Sequence, residues 1–127
     1  LIHYLTQYLN KTEIEKLLES YQDYEAQQIV TAKDILDHDL VNPPTIKELS
    51  IKVGLNTRKL KAGFRDVFGV TIRQYVIQQR MLKAQQLLAK SDYPISVISQ
   101  MVGYHHRGHF AATYEKFYGY LPNHERQ

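Results

Sequence analysis

Apolar residues recur along this chain at spacings of three and four, the period of an α-helix, and no alternating run is long enough to make a strand. From residue 45 onward the pattern is cut at regular intervals. Ile46, Leu49 and Val53 are followed by Gly54, and Leu60, Phe64 and Phe68 by Gly69. Ile95, Ile98 and Val102 are followed by Gly103, and Phe110, Tyr114 and Tyr118 by Gly119. An uninterrupted helical stretch from Thr71 to about Lys90 lies between the two halves. The chain therefore reads as all-α.

Polar residues at the breaks place the helix ends. Thr45-Ile46-Lys47-Glu48 and Thr71-Ile72-Arg73-Gln74 are capping boxes, in which the Thr hydroxyl and the acid or amide side chain satisfy free amides at a helix start. Thr12-Glu13-Ile14-Glu15 reads the same way and predicts a long helix to about Leu40, with room for a break near Tyr21–Tyr24. Asn56 predicts the cap of a helix from Thr57 to about Phe68. Pro94 suits a first helical position before Ile95–Val102. A further helix is expected from about Gly108 to Tyr118, and Pro122 opens a short final turn. Residues 2–9 are expected to form a short helix. Asn42-Pro43-Pro44 ends the first helical stretch, because proline disfavours helix at the residue before it.

The helix–Gly–helix unit occurs twice. Ile46, Leu49, Val53, Gly54 and Leu55 match Ile95, Ile98, Val102, Gly103 and Tyr104 at an offset of 49 (46 to 95). Leu60, Phe64, Phe68 and Gly69 match Phe110, Tyr114, Tyr118 and Gly119 at an offset of 50 (60 to 110), so the second turn holds one extra residue. Two short helices crossing through a tight turn that contains glycine make a helix-turn-helix; a plain α-hairpin is the bland alternative. The second helix of each unit turns its outer face to solvent. That face carries Thr57, Arg58, Lys61, Ala62 and Arg65 in the first unit, and Arg107, Gly108, His109, Ala111, Ala112 and Lys116 in the second. The joining helix, residues 71–90, spans roughly 30 Å at about 1.5 Å per residue. Successive major grooves on one face of B-DNA lie roughly 34 Å apart. A single chain could thus hold two recognition helices about one DNA turn apart.

Charge sharpens the division. The 127 residues carry a formal net charge of +3, but it is unevenly spread. Residues 1–44 hold three basic and eight acidic side chains, a formal −5, whereas residues 45–127 hold thirteen and five, a formal +8. An acidic front joined to a basic body points to a polyanion partner for the body. The chain has no cysteine, which removes disulfides, thiol nucleophiles and Cys-ligated zinc and suits a reducing cytoplasm. No apolar run approaches the ~18 residues of a membrane span, and the start lacks a signal peptide's basic and apolar regions. The chain opens on Leu1, so it is expected to be a piece of a longer one. The expected organisation is an acidic helical linker over residues 1–41 and a DNA-binding domain over 42–127. In the latter, helix-turn-helix units at 45–69 and 94–119 are joined by helix 71–90.

At this point residues 45–126 resemble the C-terminal DNA-binding domain of AraC/XylS-family transcription regulators. The segments that carry the resemblance are Thr45 to Asn56, Gly69-Val70-Thr71, Arg80-Met81-Leu82-Lys83-Ala84 with Leu87-Leu88, and Ile95 to Tyr104. Phe110, Tyr114, Tyr118-Gly119, Pro122 and Arg126 complete it. Asn42-Pro43-Pro44, Val53 to Asn56 and Leu60 to Gly69 are similar to the pyochelin-regulator subgroup, which implies a link to siderophore and iron uptake. The resemblance implies seven helices and an upstream sensor or dimerisation domain. It also implies double-stranded DNA and RNA polymerase as partners, and activation of transcription. Ala62 and Ala112 stand where many members carry arginine. Alanine offers only a methyl surface, whereas arginine grips guanine O6 and N7 together. Glu125 stands where an aromatic residue is usual before Arg126, which predicts a looser last turn.

Base reading is assigned to Arg58, Lys61, Arg107 and His109, with phosphate contact or a solvated charge as the plain alternative. Phosphate positioning is assigned to Lys59, Arg65, Arg73 and Lys116, and to the helix start at Thr71. His105 and His109, at i and i+4, have a spacing that can ligate Zn²⁺ or Ni²⁺ on a helix. They lack an acidic or cysteine partner nearby, so no metal or cofactor is assigned. Imidazole there could instead make DNA binding pH-sensitive. No phosphate loop or nucleophile–base arrangement marks an enzyme. The acidic segment Glu13–Asp39 is expected to be a solvated helix face, with packing on the body or contact with partners as the alternatives. Two other readings are a helical protein–protein interaction module and an RNA binder. The basic outer faces argue against the first, and the lack of a sheet or stacking platform against the second.

Overall fold

The computed structural model describes residues 10–127, which form six α-helices and a closing 3-10 turn, with no strand among them. The helices are α1 (Lys11–His38), α2 (Ile46–Val53), α3 (Thr57–Phe68), α4 (Ile72–Lys90), α5 (Ile95–Met101) and α6 (Arg107–Tyr118). Pro122–Arg126 is the 3-10 turn. The helix expected at residues 2–9 lies outside the described residues.

Most helix ends follow the local chemistry. Thr71 and Gln74 form the reciprocal capping box of α4, and the Asn56 side chain caps α3 through the Lys59 amide. At α2 the box is half made: Thr45 accepts from the Glu48 amide, but its hydroxyl then donates to the Glu48 carboxylate, leaving the Thr45 amide without Glu48. Gly54 and Gly103 close the two helix-turn-helix corners at φ 69° and 101°, a region where a Cβ would be strained.

Three expectations about helix starts and breaks need correction. The first box is centred on Asn10, not Thr12: the Asn10 side chain takes the Glu13 amide, and Glu13 reaches back to the Asn10 amide. Asparagine ranks above threonine as an N-cap, and its Oδ1 accepts the Glu13 amide at 2.9 Å. Helix α1 then runs through Tyr21–Tyr24 without a break. Pro94 sits at the N-cap of α5, outside the first helical position, and α5 ends at Met101.

The fold is two lobes on a shared helix. The first core gathers Ile29, Ala32 and Leu36 of α1, Leu49 and Val53 of α2, Leu60 and Phe64 of α3, and Ile72, Tyr75 and Val76 of α4. The second gathers Met81, Ala84 and Leu88 of α4, Ile98, Val102 and Tyr104, and Phe110 and Tyr114 of α6. Ile46, Phe68 and Ile95 pack against these cores only partly buried. Helix α4 thus gives its first half to one lobe and its second half to the other.

The acidic helix is therefore more than a solvated face. Its side chains at Ile29, Ala32 and Leu36 are buried as fully as their counterparts Met81, Ala84 and Leu88, which follow 52 positions later (29 to 81, 32 to 84, 36 to 88). The repeat is thus three helices long, α1–α2–α3 and α4–α5–α6. At Gly63, an added Cβ would come 2.8 Å from Ile29 Cδ1, so α1 and α3 approach as closely as a glycine allows. Gln28 adds a hydrogen bond from Nε2 to the Val53 carbonyl at 2.7 Å.

The end of the chain is tied, not loose. The Glu125 carboxylate accepts from the Tyr114 and Tyr120 hydroxyls and from Gln85 Nε2. Arg126 donates to the carbonyls of Leu88, Ser91 and Tyr93. A carboxylate in this position takes three donors that an aromatic ring would leave without an acceptor.

Candidate nucleic-acid interface

Helices α3 and α6 are built alike. Leu60 and Phe64 in α3, and Phe110 and Tyr114 in α6, point into the two cores and are fully buried. At 100° per residue the opposite face of α3 falls on Arg58, Ala62, Arg65 and Asp66, with Lys61 at its edge. All five are exposed. The same rotation in α6 places Gly108, Ala112, Glu115 and Lys116 outward. The turns also match, with Leu55 N bonded to the Ser50 carbonyl and Tyr104 N to the Ser99 carbonyl.

A groove of about 1020 Å³ lies between the lobes. Its rim holds Arg65, Arg73, Arg80, His109 and Lys116, and among the described residues no carboxylate lines it. Val70, Ile72, Val76, Ile77, Tyr104 and Phe117 supply its apolar wall. Cations gathered without counter-charges form a field that draws in an anion, and a concave surface strengthens it.

The structure brings four of the nine assigned residues, Arg65, Arg73, His109 and Lys116, to this groove. Arg58 and Lys61 stay on the outer face of α3, and Arg107 is the exposed first residue of α6. Lys59 stands apart: its Nζ is 2.9 Å from Glu25 Oε1 of α1, so any phosphate there competes with a carboxylate. The Thr71 amide already donates to Gln74 Oε1 at 2.9 Å. His105 precedes α6 and His106 is its N-cap, so His105 and His109 do not share a helix, because the extra residue of the second turn delays the helix start. Among the described residues no three His, Cys, Asp or Glu side chains converge as a metal site.

Sequence reasoning passed over two groups. Arg80 lines the groove although it sits in the joining helix. Glu115 occupies the register of Arg65 at the offset of 50 (65 to 115) and is exposed. The repeat itself carried that second signal.

A remote pair buttresses the first lobe. Tyr75 donates its hydroxyl to the Asp37 carboxylate, which also takes Lys33 Nζ at 2.8 Å. Burial, followed by this bond to Asp37, raises the Tyr75 pKa from 10.0 to about 12. Burial works to raise Asp37 as well, but the bonds from Lys33 and Tyr75 outweigh it and hold that carboxyl below its ordinary value.

Comparison with known proteins agrees with this architecture. A family model described as a helix-turn-helix domain matches residues 49–127. Regulatory protein PchR of Pseudomonas aeruginosa is 38% identical over 68 residues, covering 54% of this chain and 23% of that protein. The probable transcriptional regulator LumQ of Photobacterium leiognathi is 28% identical over 94 residues, 74% of this chain and 38% of that protein. The chain thus spans well under half the length of these relatives. Among solved structures, an AraC-type regulator from Chromobacterium violaceum aligns with a TM-score of 0.73 at 24% identity, over 79% of this chain and 89% of that one. The DNA-binding domain of AdpA, solved in complex with a target DNA, aligns with a TM-score of 0.71 at 22% identity, over 77% and 88%. These two likenesses concern the fold. With the helix-turn-helix model covering most of it, this chain belongs to the AraC/XylS family of transcription regulators.

Proposed function

We propose that this chain binds duplex DNA in a sequence-specific manner, with α3 and α6 entering two successive major grooves. The observation that carries this reading is the pair of matched helices bordering one carboxylate-free, cation-rimmed groove. The joining helix α4 has 19 residues, which is about 28 Å at about 1.5 Å per residue, close to the roughly 34 Å repeat of the major groove. The DNA backbone between the two grooves then passes along the interlobe groove, where Arg65, Arg73 and Lys116 meet its phosphates. Arg58 and Lys61 read bases in the first half-site, and Arg107 and His109 in the second. The two faces differ, so the operator of one chain is asymmetric.

The wider role follows the family, whose members are regulators rather than enzymes. The reading is activation of transcription in the cytoplasm, through contacts to RNA polymerase. The resemblance of Asn42-Pro43-Pro44, Val53 to Asn56 and Leu60 to Gly69 to the pyochelin-regulator subgroup supports control of siderophore or iron uptake. Within the expected linker 1–41, Ile29, Ala32 and Leu36 pack in the first lobe's core, and the stretch before them joins the DNA-binding part to an upstream sensor or dimerisation domain. Exposed Leu18, Tyr21 and Tyr24 on α1 suit such a joint.

Selection from a random duplex pool, followed by footprinting, tests the DNA reading. Log affinity should fall with log salt at a slope of about −0.9 per phosphate neutralised. Arg58→Ala should relax base preference at one position, whereas Arg65→Ala should weaken all sequences alike. Protection confined to half a turn of DNA would overturn the two-groove model.

A further inference from the structure

A single helix fixes the distance between two lobes better than their mutual rotation, since each lobe can turn about its own end of the rod. The structure holds a second fastening. Arg80, near the middle of α4, donates from Nε to the Leu40 carbonyl at 2.8 Å, and its Nη2 lies 3.5 Å from the Val41 carbonyl oxygen. Both carbonyls belong to the loop after α1, in the first lobe. The other side of the guanidinium faces the second lobe, with its carbon 5.2 Å from the centre of the Tyr104 ring. Tyr104 follows Gly103 in the corner of the second helix-turn-helix. A Cβ on Gly103 would come within 3.0 Å of both the guanidinium and the Leu40 carbonyl oxygen. The corner of the second unit is therefore packed directly on the first-lobe loop, with the guanidinium wedged beside it. The Tyr104 ring then meets His109 of α6 edge-on at 5.2 Å.

We propose that Arg80 is a positioning residue that sets the rotation of the second helix-turn-helix against the first, and with it the half-site spacing the chain accepts. This rests on the two-groove reading above. The guanidinium suits the task because it is planar, always charged, and donates along fixed directions while stacking on a ring. A lysine reaches a carbonyl but can neither stack as a plane nor hold two carbonyls at a set angle. Moving one half-site by a single base pair displaces it by about 3.4 Å and rotates it by about 35°. A lobe held at a set rotation cannot follow that change, whereas a lobe free to turn can.

The test uses the full chain and the duplex chosen by pool selection, together with versions in which the half-sites are one base pair closer or farther apart. A fourth duplex carries the first half-site alone. Wild type should lose about tenfold or more on either respaced duplex, the equivalent of one mismatched base pair or more. Arg80→Lys keeps the charge on the groove and should keep the helical circular dichroism; its affinities are read relative to its own affinity for the first half-site alone. Its discrimination between spacings should shrink to about two- to threefold. A folded Arg80→Lys protein with the wild-type spacing profile would overturn the proposal. If that variant fails to fold, Tyr104→Leu carries the same measurement, because it removes the stacking partner while keeping an apolar side chain; an unchanged profile there overturns it equally. If wild type selects only one half-site, it is the two-groove reading that fails, a result distinct from either spacing profile.

Discussion

Replacing Leu36 by alanine tests whether the acidic helix belongs to the folded domain. Leu36 is 0% exposed, in the same core as Leu49, Leu60 and Phe64. Truncation removes two to three methylene equivalents, about 2 kcal/mol at about 0.8 kcal/mol each, and adds a cavity cost. Neighbouring helices capped at Thr45, Asn56 and Thr71 limit how far the site can collapse. The expected loss is therefore within the ~2–5 kcal/mol observed for such changes, a large part of the ~5–15 kcal/mol that holds a domain folded. Leu88→Ala, at the equivalent place in the second lobe and 2% exposed, should cost a similar amount. Leu18→Ala, on the exposed first half of α1 (42% exposed), should stay within about 0.5 kcal/mol of wild type. Urea unfolding followed by circular dichroism measures all three. With a slope of about 1–3 kcal/mol per molar urea, the two core variants should lose roughly 1–3 M of midpoint. If Leu36→Ala unfolds with wild type while Leu88→Ala does not, the helix is a linker and the three-helix repeat is wrong.

Four further outcomes are expected. Gly63→Ala gains about 1 kcal/mol of helix propensity but forces a Cβ against Ile29, so overpacking of about 1–3 kcal/mol should win; the penalty should shrink in an Ile29→Val background, and equal penalties in both would refute the close approach. The raised Tyr75 pKa means its contribution to stability is intact below its unfolded value of 10.0 and is lost as pH rises through about 12. Tyrosinate absorbance in Tyr75→Phe should therefore lose one late-titrating group. Asp37 and Glu125 have depressed pKa values, Glu125 chiefly through the Tyr120 hydroxyl. Their stabilisation is present above the unfolded carboxylate values and lost as pH falls through the folded ones, so Glu125→Gln should flatten the acid limb of the stability profile. Finally, Glu115 is a carboxylate on the outward face of α6, able to accept from cytosine N4 but repelled by phosphate. Glu115→Gln should tighten binding to unrelated duplexes and weaken preference at one position of the second half-site; a selected sequence unchanged in both respects counts against that role.

Much of the interface was legible because it is local. The outer faces of α3 and α6 follow from a hydrophobic period and a glycine, and the repeat by its spacing puts Arg58, Lys61 and Arg65 on the first of them. Arg80 was not legible as part of the groove, since its position on the joining helix says nothing of a carbonyl 40 residues earlier in the chain. Glu125 read as a loosening substitution because two of its three donors, Gln85 and Tyr114, come from other helices.

Local sequence was enough to set the helices, most of their caps, the two glycine corners and the division of charge. All of these depend on interactions within a few residues, where propensity and side-chain-to-backbone bonds decide the outcome. Tertiary structure alone decided that α1 is the first helix of the first lobe. Its offset to α4 is 52, against 49 and 50 in the rest of the repeat, because the loop after α1 is longer, and its acidic outer face hid a buried stripe of only three residues. It alone also decided that the Arg80 guanidinium sits between the loop after α1 and the corner of the second helix-turn-helix, since those two meet only once the chain has folded.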